Sequence, residues 1–214
     1  MIKLDKITKK YGNKTVFDKF DLTVEDGKIT VVLGESGAGK TTLLNVIANL
    51  TEFEGSVQGV KNVSMVFQKD RLVPKLTVED NIRLVSPDAD VSAMLLAVGL
   101  SGTEKLYPKD LSAGMARRVA IIRAFSFDAP VVLMDEPLVN LDLALKFSLI
   151  EMIKDLREKY KKTVILVTHD VKEAAMLADR AIVLKNGKAI YDRTEKADRT
   201  EAALTDVLLA NYEK

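Results

Sequence analysis

Apolar and polar residues alternate from Ile2 to Lys9 and again from Thr15 to Glu25, the period of two that a half-buried strand requires. Lys10-Tyr11-Gly12-Asn13 lies between them as a turn, so the chain is expected to open on two antiparallel strands. The pattern then changes. Lys28–Leu33, Asn62–Phe67, Val131–Met134, Thr163–Val167 and Ala181–Leu184 are short, largely apolar runs, as expected of strands buried on both faces. Thr41–Ala48 and Leu141–Tyr160 carry helical periodicity. From Gln68 to about Phe127 the pattern also turns helical, broken at Pro74, Pro87 and Pro108. Thr77-Val78-Glu79-Asp80 opens one helix there with an N-cap and first-turn acids, and Ser112–Phe125 is a second. Strands alternating with helices predict an α/β fold, a mostly parallel sheet with helices on both faces. The helical insert at 68–127 is expected beside that sheet. The segment from about residue 194 to 214 is apolar at Ala203, Leu204, Val207, Leu208 and Ala210, which suits one helix packed on the core. No internal repeat or low-complexity run interrupts this order.

Composition narrows the function. Lys and Arg number 32 against 31 Asp and Glu, a balance that gives no push toward nucleic acid or an acidic membrane. The absence of Cys removes disulfides, thiolate metal sites and cysteine nucleophiles, and suits the cytosol. Met1-Ile2-Lys3-Leu4-Asp5-Lys6 is unlike a signal peptide. No apolar run approaches the roughly 18 residues of a spanning helix, so any membrane role is expected to act through another chain.

Gly34-Glu35-Ser36-Gly37-Ala38-Gly39-Lys40-Thr41 matches the phosphate-cradling pattern G-x-x-x-x-G-K-[ST] at every specified position. It sits between an apolar strand and an apolar helix. That context gathers backbone N–H groups and a helix N-terminus around one point, an anion site. Lys40 is expected to reach the β- and γ-phosphates, and the Thr41 hydroxyl to hold Mg²⁺. These features predict a P-loop NTPase core with an N-terminal antiparallel β part and a helical insert.

Val131–Met134 runs directly into Asp135-Glu136. A buried parallel strand presents such acids at its C-terminal edge, where ligands of these sheets bind. Asp135 is placed to hold Mg²⁺. Glu136, one residue on and pointing elsewhere, is the candidate for polarising the attacking water. The only histidine, His169, follows the strand Thr163–Val167. That strand is expected beside the one carrying Asp135, which would bring His169 near the γ-phosphate.

Leu111-Ser112-Ala113-Gly114-Met115 opens a helix about 20 residues before Asp135. This resembles the signature motif of ABC-type ATPases, and the whole ordered set is similar to that family across essentially the full chain. The resemblance implies a single ATPase domain, with residues 1–67 and 128–214 as nucleotide-binding core and 68–127 as signature subdomain. It implies ATP hydrolysis with Mg²⁺. Tyr11 would stack on adenine with Val16 as a flanking apolar contact. Gly34 to Thr41, with Thr42, would hold the phosphates, and Gln68 would act as the Q-loop glutamine near metal and water. Asp135 and Glu136 end the Walker B strand, Asp142 falls in the D-loop, and His169 is the switch histidine. Ser112, Ala113 and Gly114 would face the ATP held by another copy. One P-loop and one signature then imply a dimer, with itself or a relative. Two departures from the family pattern stand out. Ala113 replaces a common glycine, and the D-loop reads Val139-Asn140-Leu141-Asp142 where Ser-Ala-Leu-Asp is common.

The segment from Val66 to Ile82 looks like the Q-loop region of bacterial importer ATPases, closest to the nitrate, sulfonate and taurine group. In such proteins this groove accepts a coupling helix of a transmembrane permease subunit. Arg71, Leu72, Val73, Pro74 and Leu76 would supply it here. A peripheral place on the cytoplasmic face of the cell membrane follows from the resemblance, with a substrate-binding protein as indirect partner and no nucleic acid. An exporter ATPase and a soluble ABC-type ATPase remain alternatives. The second usually brings paired units, coiled coils or basic arms.

Overall fold

The computed structural model describes residues 1–212; Glu213 and Lys214, the end of the expected C-terminal helix, lie outside the described residues. In chain order the first half contains β1 (Ile2–Tyr11), β2 (Lys14–Val24), β3 (Ile29–Leu33), α1 (Lys40–Ile47), β4 (Glu54–Gln58), β5 (Val63–Val66), α2 (Val78–Arg83) and α3 (Val91–Ala97). Then follow α4 (Ala113–Ser126), β6 (Val131–Asp135), α5 (Leu143–Tyr160), β7 (Thr163–Thr168), α6 (Val171–Leu177), β8 (Arg180–Lys185), β9 (Lys188–Arg193) and α7 (Glu201–Tyr212).

These strands make two sheets. The first is antiparallel, in the order β2-β1-β4, and the second runs β5-β6-β7-β3-β8-β9. Neighbours among β5, β6, β7, β3 and β8 are parallel, while β9 closes the edge antiparallel to β8. β6 and β7 are adjacent, with Asp135 in register with Val167, as the sequence predicts.

The central strands divide two apolar layers. Val31 and Leu33 of β3 face one layer with α2 to α7; Val32 faces the other with α1 and the antiparallel sheet. Phe17 of β2 anchors the second layer, packed against Phe20 with ring centroids 4.9 Å apart. Fully burying a side chain of this kind contributes about 1.5–3 kcal/mol. The continuous apolar runs are thus explained by burial on both sides.

Several elements differ from expectation. Residues 68–77 are not helical. Helix begins only at Val78, after the Thr77 side chain accepts from Asp80 N at 3.1 Å. The preceding loop is pinned by the buried Asn81, whose Nδ2 donates to Val73 O, Leu76 O and Thr77 O. The insert also contains α3, a short helix capped by Asp90. Tyr11 ends β1 and pairs with Lys14 rather than standing in a loop. β4 and β9 were not expected as strands. Both are edge strands; β4 is mostly polar, and in β9 the apolar residues Ala189, Ile190 and Tyr191 stand together between charged ends, so neither shows the alternating pattern of a half-buried strand. α5 starts at Leu143, because Asp142 is its N-cap and accepts from Leu145 N at 2.9 Å.

Candidate functional site

Three neighbouring strands of the parallel sheet end along one edge, and each delivers different chemistry. β3 runs into residues 34–39 and α1. Gly39 has a φ of 107°, left-handed backbone that side chains rarely adopt, and it starts α1 without a side-chain cap. The first turn of α1 therefore opens toward the strand ends as a region of positive partial charge. Lys40 is buried there, 6% exposed. Its Nζ donates to Gly34 O at 2.7 Å and Glu35 O at 3.0 Å, and lies 3.6 Å from Glu136 Oε1. Thr41 Oγ1 donates toward Asp135, 3.1 Å from each carboxylate oxygen.

β6 supplies the acids. Alternation along a strand would send Asp135 and Glu136 to opposite sides. On that alternation Glu136 points elsewhere, yet both acids line one cleft. The reason is local. Glu136 stands just past the strand with a φ of 45°, and its N–H donates to Val167 O at 3.0 Å. A non-glycine residue in this conformation is uncommon and concentrates at functional sites. Burial pushes the Asp135 carboxyl above its ordinary range. The Thr41 hydrogen bond opposes that shift, the charge of Glu136 adds to it, and Lys40 works against it.

β7 brings His169. Its Nδ1 lies 3.4 Å from Glu136 Oε1, and its side chain is more than half exposed. Glu136 thus stands between a buried ammonium and an imidazole.

The cleft so formed holds about 410 Å³ and is lined by Tyr11, Lys14, Val16, Ser36, Gly37, Gly39, Lys40, Thr41, Thr42, Gln68, Asp135 and Glu136. Gly34 stands behind the loop, contributing its carbonyl to Lys40. Glu35 and Ala38 line the adjoining depression instead. His169 reaches the site through Glu136 and is not part of the lining. Ser112, Ala113, Gly114 and Asp142 are also outside it. Ser112 caps α4, accepting from Met115 N at 3.2 Å. Ala113 is the first residue of that helix, where a methyl group costs little. A Cβ on Gly114 would stand 2.7 Å from Leu145 Cδ2, so packing of α4 on α5 also calls for a small residue there.

Two groups of residues escaped sequence reasoning. Lys14 lines the cleft beside Tyr11; their pairing across the Gly12-Asn13 turn was the available signal. Lys9 supports Tyr11 from outside, with Nζ 4.5 Å from the ring centroid. Arg117 carried no such signal. Its guanidinium donates to Phe67 O at 2.9 Å and Gln68 O at 2.6 Å, with Nε 3.1 Å from Asp70. Burial lowers the Arg117 pKa and raises that of Asp70. The backbone of Gln68 is therefore tied to the helix that opens at Ser112. Arg123 of the same helix donates to Asp70 O and Arg71 O, at 3.2 and 3.1 Å, and Arg71 covers the Phe67 ring at 3.7 Å.

The family model described as ABC transporter matches residues 17–139, a span that runs from β2 through both strand-end acids. The chain belongs to the ABC transporter family. It is 38% identical over 208 residues to the aliphatic sulfonates import ATP-binding protein SsuB 3 of Paraburkholderia xenovorans, covering 95% of this chain and 84% of that protein. Among solved structures it is similar to the dimeric structure of MJ0796, a bacterial ABC transporter cassette, with a TM-score of 0.79 and 29% identity over 91% of this chain and 98% of that one. A post-hydrolysis dimer of the same cassette bound to ADP and Pi is similar at a TM-score of 0.77 and 28% identity, with the same coverage. ATP or ADP binding and ATP hydrolysis are expected of an ABC cassette. Among the described residues no helix is long and apolar enough to cross a membrane.

Proposed function

We propose that this chain is the ATP-hydrolysing subunit of an ABC importer for a small solute, working as a dimer beneath transmembrane permease subunits. The observation that carries the reading is the convergence of Lys40, Thr41, Asp135, Glu136 and His169 at one strand edge. The name of the sulfonate import relative supports the importer half of the proposal.

The chain's own groups divide the work. Lys40 and the backbone of residues 36–41 neutralise the phosphates, and Tyr11 with Val16 offers a flat apolar face to the base. Oxygen donors of the Thr41–Asp135 pair, joined by Gln68, fit a hard divalent cation. Bound Mg²⁺ would supply charge neutralisation on the phosphate oxygens. Glu136 is the group that holds and polarises a water, taking its proton as the oxygen bonds to the γ-phosphorus. The breaking bond leaves its electron pair on the β-phosphate oxygen of ADP. His169, 3.4 Å from Glu136, keeps that carboxylate and the γ-phosphate in register. Phosphoryl transfer asks little more of a protein than positioning and charge.

The Arg71–Leu76 segment is the proposed seat of the permease coupling helix. Arg71, Pro74 and Lys75 are exposed, while Leu72, Val73 and Leu76 are half-buried. Because Arg117 and Arg123 bond the backbone of residues 67–71 to α4, pressure on this segment moves Gln68 and the signature helix together. Substrate choice falls to the partners.

The test is Glu136→Gln. Turnover should fall by about 100-fold to 10,000-fold, with ATP affinity kept. Unchanged turnover would remove Glu136 from the chemistry. Pull-down of the same variant from solubilised host membranes with ATP and Mg²⁺ tests the second half. A multi-span membrane protein is expected; recovery of ribosomal or DNA-associated proteins alone would replace the importer reading.

A further inference from the structure

Lys146 stands in the first turn of α5, four residues after Asp142, and its N–H donates to Asp142 O at 3.0 Å. Its side chain crosses to the segment after β7. Nζ donates to Asp170 Oδ2 at 2.8 Å and to Glu173 Oε1 at 2.7 Å. Glu173 is 3% exposed, and its other oxygen accepts from Thr168 Oγ1 at 2.6 Å. The same Thr168 oxygen accepts from Asp170 N at 3.0 Å. Asp170 in turn caps α6, accepting from Lys172 N at 2.9 Å. Both chain neighbours of His169 are therefore held in one network, and the cation at its centre comes from another helix.

We propose that Lys146 is a positioning residue for His169. It locks the turn between β7 and α6 onto the first turn of α5, and so fixes the imidazole at its distance from Glu136. The charge arrangement requires a cation at this point. Asp170 and Glu173 both aim carboxylates at the same space. A buried carboxylate without a partner is costly, and two together repel. Without the ammonium the turn relieves that repulsion by moving, and His169 moves with it. Burial alone would raise the Asp170 pKa, but the hydrogen bond and charge of Lys146, together with the backbone N–H groups of Glu173 and Lys172, hold that carboxyl below its ordinary range. Because α5 opens at Asp142, the lock also ties His169 to the D-loop.

This inference rests on the ATPase reading of the cleft, and the experiment separates the two. Steady-state ATP hydrolysis is measured for the full chain, Lys146→Met, Lys146→Arg, His169→Ala and the double variant Lys146→Met/His169→Ala. Melting curves are recorded alongside. Lys146→Met should lower kcat about 10-fold to 100-fold, the scale of a small misplacement at a reacting centre, with KM for ATP within about twofold. Lys146→Arg should restore most of the rate. In the His169→Ala background Lys146→Met should cost nothing more, since a residue acting through His169 has no effect once the histidine is gone. Full, independent loss in the double variant, or loss expressed in KM alone, would overturn the proposal. A Lys146→Met variant as active as the parent, beside an impaired His169→Ala, would also sink it while sparing the ATPase reading. If the parent chain hydrolyses no ATP, or His169→Ala is fully active, that reading fails instead. Where Lys146→Met does not fold, Lys146→Gln enters the same cycle with the same outcomes.

Discussion

α1 and α4 both begin at segments that suit a phosphate, and they begin in opposite ways. α1 starts after a left-handed Gly39 with no side-chain cap, and its first residue is a buried lysine at the floor of a cleft. α4 starts after Ser112, whose hydroxyl already serves Met115 N, and Ser112 and Ala113 are exposed. The first arrangement gathers within one chain the groups an anion calls for, a buried ammonium beside an uncapped helix start. The second offers an exposed helix start that stands outside the cleft. On the proposed reading, an ATP held at α1 of one copy would be met by α4 of another, and that is the physical argument for the proposed dimer.

The sharpest break in this comparison comes from removing the charge at α1. Lys40→Ala should weaken ATP binding by about 10-fold to 100-fold, the worth of a charge-assisted hydrogen bond. Isothermal titration of the nucleotide into the chain measures it. Ser112→Ala in the same titration should leave affinity within about twofold of the parent. Equal losses in the two variants would mean that α4 contributes as much to nucleotide affinity as α1, and the contrast between the two helix starts would fall.

The next effect sharpens the role of α4. Ser112→Ala should slow turnover by about tenfold or more at saturating ATP, as loss of one preorganised donor does elsewhere. It should also cost about 0.5–2 kcal/mol of stability through the lost cap. Ser112→Asp separates these effects. An aspartate caps as well as serine, so the melting temperature should hold, yet its charge repels phosphate and turnover should still fall. A Ser112→Asp chain with normal turnover would reduce Ser112 to an ordinary N-cap.

The contrast also explains what the sequence could reveal. The α1 site was legible because every group in it is local or sits at a strand end. A glycine turn, a lysine and apolar strands running into Asp135 and Thr168 suffice, and the parallel order brings the strand ends together. Glu136 was legible as a residue but not as a direction, since its left-handed φ of 45° overrides strand alternation. The tethering of Gln68 was not legible. It depends on Arg117, 49 residues away in the chain, bonding to backbone oxygens that carry no sequence signal. The edge strand β9 was half legible: Asn186-Gly187 is a strong hairpin turn, but the short run Ala189-Ile190-Tyr191 between charged residues lacks the alternation that marks a strand.

The smallest expected effect is thermodynamic, and it asks whether the acid facing α1 is kept for binding rather than for folding. Burial raises the Asp135 pKa above its ordinary value of 3.8, with Glu136 adding to the shift. The folded chain therefore holds that proton more tightly than the unfolded chain. Well below pH 3.8 both forms are protonated and the group is neutral to stability. As pH rises through the window between the ordinary and the raised value, only the unfolded chain releases the proton, and stability declines. Above the raised value the full penalty of an ionised Asp135 remains. Asp135→Asn removes that ionisation while keeping an acceptor for Thr41. The nucleotide-free variant should melt about 1–3 °C above the parent at neutral pH, an effect kept small by partial solvent screening. The difference should vanish as pH falls below the ordinary carboxylate value. The same variant should lose Mg²⁺-dependent nucleotide binding, as expected where a group is retained against the interest of the empty fold. Differential scanning calorimetry at two pH values decides it. A variant that melts lower than the parent at neutral pH, or differs equally at both, would show that Asp135 supports the fold and that the two halves of the cleft are not divided between stability and binding.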